Sequence, residues 1–254
     1  MQLVVLGSGT SVPHAQRAGP AFWLETETSS ILLDCSADAT HRMAQENCDW
    51  PNLDAIWISH LHLDHCGGLA ALLFGMKHAP QTQTRKKALK IFGCDGVKRL
   101  LIATDTANDY GLFRQPFPLD VNDKVGATED FELAAGFRAQ TFSTPHTRES
   151  LALRLTAEGK TIVYSADTGY SEELARFARG VDLLILECSF YREKPVQTHL
   201  KLDEAMRLAQ MAEPRKLLLT HLYPQWDGVD IEAEARTLWP GETIAARDGL
   251  RIEL

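Results

Sequence analysis

Ile58-Ser59-His60-Leu61-His62-Leu63-Asp64-His65-Cys66-Gly67-Gly68 is the stretch on which the reading of this chain turns. Three histidines and one aspartate fall within six consecutive positions, directly after the apolar run Ala55-Ile56-Trp57-Ile58. A strand leaving a core would deliver His60 and His62 to one face, because strand side chains alternate with period two. The chain must then turn, which puts Asp64 and His65 where the next helix begins. The result is two separate sets of ligands, one for each of two adjacent metal ions. Imidazole with carboxylate suits zinc, and hydrolytic zinc sites keep a coordination position open for water.

Composition sets the frame. A chain of 254 residues can bury a substantial core and is read here as one domain over 1–254. Its 44% hydrophobic and 24% charged residues are ordinary for a soluble globular protein. Lys and Arg number 26 against 34 Asp and Glu, a formal charge of -8. That balance argues against a broad nucleic-acid surface, though not against a local basic patch. No apolar run approaches the ~20 residues needed to span a bilayer, so no membrane association is expected. The opening Met1-Gln2-Leu3-Val4-Val5-Leu6-Gly7 lacks a basic leader region and reads as a first strand. Cysteines 35, 48, 66, 94 and 188 form no Cys-x-x-Cys pair. Free thiols in a reducing cytoplasm account for them.

In chain order, residues 3–6 form a strand that runs into Gly7-Ser8-Gly9-Thr10-Ser11. The two glycines are half of a nucleotide-binding fingerprint, but Val12 stands where the third would be, so a tight turn is expected. Strands at 21–25 and 31–34 and a helix over 38–47 follow. Residues 69–76 read as a mostly buried helix. The segment 81–90, with Arg85, Lys86, Lys87 and Lys90, reads as a solvated face or a phosphate contact. A strand at 89–92 and a helix at 97–109 come next, and 118–142 reads as a meander of short strands. Ala157-Glu158-Gly159-Lys160 joins a hairpin. Ser171 caps a helix through 179; then strands at 181–186 and 216–220 alternate with helices at 203–212 and 230–239, and short strands end the chain. Both halves run from strands to helices, which two facing sheets with helices outside would accommodate.

Two metal ions need more ligands than the central stretch supplies. Three further candidates sit where apolar strands end: His146 after Phe142-Ser143-Thr144-Pro145, Asp167 after Val163-Tyr164-Ser165-Ala166, and His221 after Leu217-Leu218-Leu219-Thr220. Glu187, after Leu183-Leu184-Ile185-Leu186, and His199 are polar residues left without a role by that count. His14, His41 and His78 lack this context and are assigned to the surface or to supporting the ligands from behind.

With these residues in view, the whole chain resembles the metallo-β-lactamase superfamily, and within it the ribonuclease Z-like branch. The stretch from His60 to His65 is similar to the His-x-His-x-Asp-His signature. Leu6-Gly7-Ser8-Gly9-Thr10 with Pro13 and Arg17 resembles the branch's opening segment, and Leu33-Asp34-Cys35 its Asp-Cys strand end, with Ser36 where glycine is usual. Glu187-Cys188-Ser189-Phe190 resembles its Glu-Ala-Thr-Phe segment, and His199 falls where a downstream catalytic histidine is expected. The resemblance implies a four-layered α/β/β/α sandwich with the site at one edge. It implies one zinc on His60, His62 and His146, another on Asp64, His65 and His221, and Asp167 bridging both, with manganese as the alternative metal. It also implies a homodimer. Only 21 positions (167 − 146) separate His146 from Asp167, where ribonuclease Z proper inserts a long tRNA-grasping arm. No segment resembles the branch's Pro-x-Lys-x-Arg-Asn loop.

The expected activity is that of a phosphodiesterase using a metal-bridging hydroxide on a small or flexible phosphodiester. Asp64 would orient the nucleophile and take its proton, and His199, held by Glu187, would protonate the departing oxygen. Alternatives are a tRNA 3′-processing endonuclease acting on an RNA 3′ end, a lactonase or thioester hydrolase on the same metals, and a metal-binding protein without catalysis.

Overall fold

The computed structural model describes residues 1–123 and 130–254. The first half runs β1 (Gln2–Gly7), β2 (Ala21–Glu25), β3 (Ser30–Leu33), α1 (Ala39–Gln45), β4 (Ala55–Ile58), α2 (Leu63–Cys66), α3 (Leu69–His78), β5 (Leu89–Gly93), α4 (Val97–Asn108) and β6 (Leu119–Asn122). The second runs β7 (Phe131–Ala134), β8 (Phe137–Ser143), β9 (Leu151–Ala157), β10 (Lys160–Tyr164), α5 (Glu172–Phe177), β11 (Leu183–Glu187), α6 (Leu202–Ala212), β12 (Lys216–Thr220), α7 (Ile231–Leu238), β13 (Glu242–Ala245) and β14 (Arg251–Glu253). Two seven-stranded sheets result, ordered β14-β1-β2-β3-β4-β5-β6 and β13-β12-β11-β10-β9-β8-β7. Strands β3 to β6 and β10 to β13 run parallel within their sheets.

Strand periodicity shows how the layers stack. In β11, Leu183 and Ile185 join the core between the sheets, while Leu184 and Leu186 join a second core beneath α5, α6 and α7. Strands β10 and β12 divide the same way, with Ile162, Tyr164 and Leu218 inward and Val163, Leu217 and Leu219 outward. A strand apolar on both faces needs cover on both, which is why these runs are continuous rather than alternating. The four-layered α/β/β/α sandwich is the outcome.

Several local expectations are corrected. Segment 118–142 is not one meander: β6 closes the first sheet against β5, whereas β7 and β8 open the second. The part of it at 124–129 lies outside the described residues. Helix α3 is amphipathic rather than mostly buried; Leu69, Leu72, Leu73 and Met76 face inward and Phe74 is exposed. Gly7 does not make a tight turn. A Cβ there would lie 1.9 Å from the Gly19 carbonyl oxygen, so the glycine permits close approach of a neighbouring segment.

Arg85 is neither a solvated charge nor a phosphate contact. It is buried, and its guanidinium donates to the carbonyls of Pro51, Leu53, Lys87 and Ala88 at 2.6 to 2.9 Å. It thereby fastens the loops entering β4 and β5, and its charge lies over Phe117 at 4.9 Å. Arg85→Ala is expected to lower unfolding free energy by ~2–4 kcal/mol, because buried carbonyls lose charged donors. Arg85→Lys should restore less than half, lacking the planar fork. Denaturant unfolding checks both, and a loss below ~1 kcal/mol for the alanine variant would contradict the clamp.

Candidate metal centre

The site forms where strands of both sheets end. Open sheets with parallel strands gather functional groups at their carboxyl edge, because the chain must leave the sheet there. Asp34 follows β3, the stretch from His60 to His65 follows β4, Asp167 follows β10, Glu187 ends β11 and His221 follows β12. His146 follows the antiparallel β8. Strand β4 stops at Ile58, so His60 and His62 stand on an extended loop rather than on the strand itself. Asp64 and His65 lie in the single turn of α2, as expected. Asp34, Ala166 and His221 adopt left-handed backbone at φ 55, 50 and 59°, strain that turns each loop sharply at the site.

The seven candidate ligands converge. His60, His62, His146 and Asp167 form one group whose ligand atoms lie within 4.8 Å of each other; Asp64, His65 and His221 form another. Asp167 stands between them. Its Oδ2 lies 3.6 Å from His60 Nε2 and 3.5 Å from His146 Nε2, while its Oδ1 lies 3.2 Å from His65 Nε2 and 3.3 Å from His221 Nε2. Asp64 Oδ2 is 3.4 Å from His221 Nε2, and His62 Nδ1 is 3.1 Å from His146 Nε2.

These distances lack hydrogen-bond geometry where it matters most. Nε2 of His60, His65 and His221 and Oδ1 of Asp167 are buried without a partner among the described residues. Orphaned buried polar atoms are costly. Four of them aimed at one small volume fit a site built for cations. Electrostatics agree. Burial works to raise the Asp167 pKa, but the facing His221 and His65 overcome it and hold the carboxyl well below its usual range. Burial likewise opposes charge on His65, yet Asp167 and Asp34 raise it well above the ordinary imidazole value. Burial and the neighbouring His65 lower His60, and burial lowers His146 despite Asp167, so these two rings face the centre as neutral imidazoles able to ligate a cation.

In His60, His65, His146 and His221 the inward nitrogen is aimed by a hydrogen bond at the opposite side of the ring, the arrangement that fixes tautomer and orientation in metal sites. His65 Nδ1 donates to Asp34 Oδ2 at 2.6 Å. His146 Nδ1 donates to the Thr198 carbonyl at 2.9 Å, and His60 Nδ1 to Ser59 Oγ at 3.0 Å. His221 Nδ1 donates to Ser189 Oγ at 2.9 Å. Asp34 also accepts from Ser59 N at 2.7 Å, Ser59 Oγ at 2.8 Å and the Tyr164 hydroxyl at 2.6 Å.

Glu187 is the matching hub on the second sheet. Its Oε1 accepts from His199 Nδ1 at 2.9 Å and Thr168 N at 2.8 Å. Its Oε2 accepts from Ser189 Oγ at 2.6 Å and Leu200 N at 3.1 Å. It therefore holds the segments bearing Asp167, His199 and His221 together, beyond orienting His199. His199 forms a third possible group with Asp167 and His221, but unlike the orphaned ligand atoms its Nδ1 is bonded to Glu187. Burial lowers the His199 pKa, but the bond and charge of Glu187 prevail and raise it.

Sequence reasoning assigned no role to Asp34, Ser59, Tyr164 or Ser189. Leu33-Asp34-Cys35 and Glu187-Cys188-Ser189-Phe190 carried family signals; Ser59 and Tyr164 carried none, since a serine or tyrosine near a strand end is common. His14, His41 and His78 do not join the cluster: His14 pairs with Asp227, His41 with Gln45, and His78 lies against Phe74.

Comparison with known proteins agrees with this geometry. A family model described as a beta-lactamase superfamily domain matches residues 29–222. A Bacillus subtilis protein named "Probable metallo-hydrolase YhfI" is 30% identical, with 98% of each chain covered. Ribonuclease Z of Ignicoccus hospitalis is 28% identical, covering 99% of this chain and 97% of its own. The crystal structure of YhfI superposes with a TM-score of 0.83 over 100% of this chain and 99% of that one, at 26% identity. Human tRNase Z, short form, shares the fold with a TM-score of 0.80 at 20% identity, over 100% and 99% of the two chains. On the extent of the family match and the whole-chain likeness to these relatives, this chain belongs to the metallo-β-lactamase superfamily, in its ribonuclease Z-like branch.

Proposed function

We propose that this metallo-β-lactamase fold hydrolase is a dinuclear zinc-dependent phosphodiesterase of the ribonuclease Z-like type. The observation that carries the reading is the buried Glu187–His199 pair at 2.9 Å: His199 lies within ligand distance of Asp167 and His221, but its Nδ1 is taken by Glu187. Such a pair serves a reaction whose leaving oxygen needs a proton. His60, His62 and His146 would hold one ion and Asp64, His65 and His221 the other, with Asp167 between; manganese is the alternative metal. Divalent ions there supply Lewis acidity and lower the pKa of water to about 7.

The chain's own groups complete the chemistry. Asp64 lines the open side of the centre and accepts the proton of the attacking water. His199 donates to the departing oxygen, and Glu187 keeps its ring aimed. The interval from His146 to Asp167 is filled by β9 and β10, which supports a small or flexible diester as substrate. The second reading, a tRNA 3′-processing endonuclease, is favoured by relatives named ribonuclease Z. Five free, buried cysteines support a cytoplasmic enzyme, and the family resemblance supports a homodimer. Turnover of a phosphodiester, with none of a lactone or a tRNA precursor, is the expected assay result; cleavage of the lactone alone would overturn the proposal.

Metal analysis should give two equivalents per chain in protein purified without chelator. Asp167→Ala is expected to loosen both ions. Asp34→Ala should weaken chiefly the one on His65, by about 10–100-fold, because it removes a direct orienting bond there and only an indirect one, through Ser59, at His60. Full metal content in Asp167→Ala would refute the bridging assignment.

His199→Ala should lose ~10²–10⁴-fold on a diester with an alkoxide leaving group and far less on a nitrophenyl diester. Its metal content should not change. Glu187→Gln should be the more damaging change, since an amide placed against the amides of Thr168 or Leu200 leaves buried donors unpaired, at ~1–3 kcal/mol each. Equal losses for His199→Ala on both substrates would mean that it positions substrate rather than donating a proton.

A further inference from the structure

The chain between β11 and α6 doubles back on itself. Phe190 N donates to the Leu200 carbonyl at 3.1 Å and Leu202 N to the Phe190 carbonyl at 3.0 Å, so residues 191–199 hang from a closed neck. Two consecutive residues of this loop serve the centre. The Thr198 carbonyl accepts from His146 Nδ1 at 2.9 Å, and His199 gives its own Nδ1 to Glu187 at 2.9 Å. Gln197 is seated beside them. A Cβ on Gly169 would lie 2.9 Å from the Gln197 carbonyl oxygen and 3.1 Å from that of Pro145, so the loop packs directly on the segments that carry Asp167 and His146.

The outer arc of the loop faces solvent at Arg192, Glu193, Pro195, Val196 and Gln197. Lys194 turns inward instead. Its side chain is 9% exposed, and Nζ donates to both carboxylate oxygens of Glu204, at 2.6 and 2.8 Å. Glu204, with its side chain 18% exposed, lies in the first turn of α6 and also accepts from Lys201 N at 3.2 Å. One carboxylate thus grips the loop at its arc and at its neck. An exposed ion pair would contribute little. This one is largely shielded from water, and removing either partner leaves the other charge without compensation.

We propose that Lys194, acting through Glu204, is a positioning residue for the centre: the pair sets where the loop places the Thr198 carbonyl and the His199 ring. Neither residue belongs to the ligand cluster. Loss of the pair therefore acts through His146 and His199, while His65, tied to Asp34, and His221, tied to Ser189, keep their bonds. The effect on the rings and on metal binding stands on geometry; the effect on turnover rests on the phosphodiesterase reading.

Lys194→Met keeps the length of the side chain and removes its charge; Lys194→Arg keeps the charge. Nitrogen-15 NMR of the histidine rings in the zinc-loaded full chain reads the effect directly. In the methionine variant the Nδ1–H signals of His146 and His199 should be lost to exchange with water, while those of His65 and His221 remain. The arginine variant should retain all four. Competition with a chelator should show zinc affinity falling about tenfold at one site and little at the other. On a diester with an alkoxide leaving group kcat should fall about tenfold with KM unchanged, and on a nitrophenyl diester far less. Glu204→Gln strips the countercharge while retaining one acceptor; it should repeat the methionine pattern, and it decides the matter if that variant does not fold. A lowered Tm with the His146 and His199 signals retained would make the pair a structural brace and overturn the inference. Equal loss of all four signals, or equal weakening of both zinc sites, would overturn it too. Absence of turnover on both diesters would overturn the phosphodiesterase reading and leave the ring signals and zinc affinities to decide this one.

Discussion

A buried carboxylate with no lysine or arginine beside it among the described residues is the constraint around which this molecule is arranged. Asp167 is 2% exposed, and its neighbours are the inward nitrogens of four imidazoles. Burying such a charge is strongly unfavourable unless it is paired. Imidazoles can pair with it only if their rings are held at fixed angles, because each has one nitrogen to offer once the other is committed. Both sheets must therefore end at this point, and each ring must be tied from behind.

Two further carboxylates do most of that tying, one from each sheet. Asp34 follows β3 and gathers Ser59, His65 and Tyr164; Glu187 ends β11 and gathers Thr168, Ser189, His199 and Leu200. Each accepts several hydrogen bonds and so fixes many donors around it. The Tyr164 hydroxyl illustrates the coupling. It projects from the second sheet into the core and bonds to Asp34 of the first, so that the orientation of His65 depends on the two sheets being docked. Site geometry and sheet packing are in this sense one property. Networks of this kind rigidify when every member is satisfied, and they are sensitive to loss of a single acceptor.

The two hubs also separate the roles of neighbouring histidines. His221 and His199 stack with ring centroids 5.3 Å apart, yet Glu187 reaches His221 through Ser189 and His199 directly. The indirect link leaves His221 Nε2 facing the centre without a hydrogen-bond partner. The direct link surrounds His199 with negative charge and favours its proton. One carboxylate thus sustains two chemistries through one intervening hydroxyl.

Much of this was legible in the sequence, for definite reasons. His60, His62, Asp64 and His65 are adjacent in the chain, so their spacing alone exposes them. His146, Asp167 and His221 each close an apolar strand, and the repetition of that context marks them. The continuous apolar runs of β11 and β12 announce strands covered on both faces. Tertiary structure alone decided the rest. Whether β6 joins one sheet or the other depends on pairing with β5, which no local pattern encodes. Arg85 became a clamp because four carbonyls from two loops meet it, an arrangement invisible in a basic segment. Tyr164 and Ser189 acquired their roles across 130 and 32 positions of chain, from contacts to Asp34 and His221. Spacing reveals ligands because metals demand several from one short stretch; it cannot reveal their supports, since a hydrogen bond needs only one partner, supplied from anywhere the fold brings near.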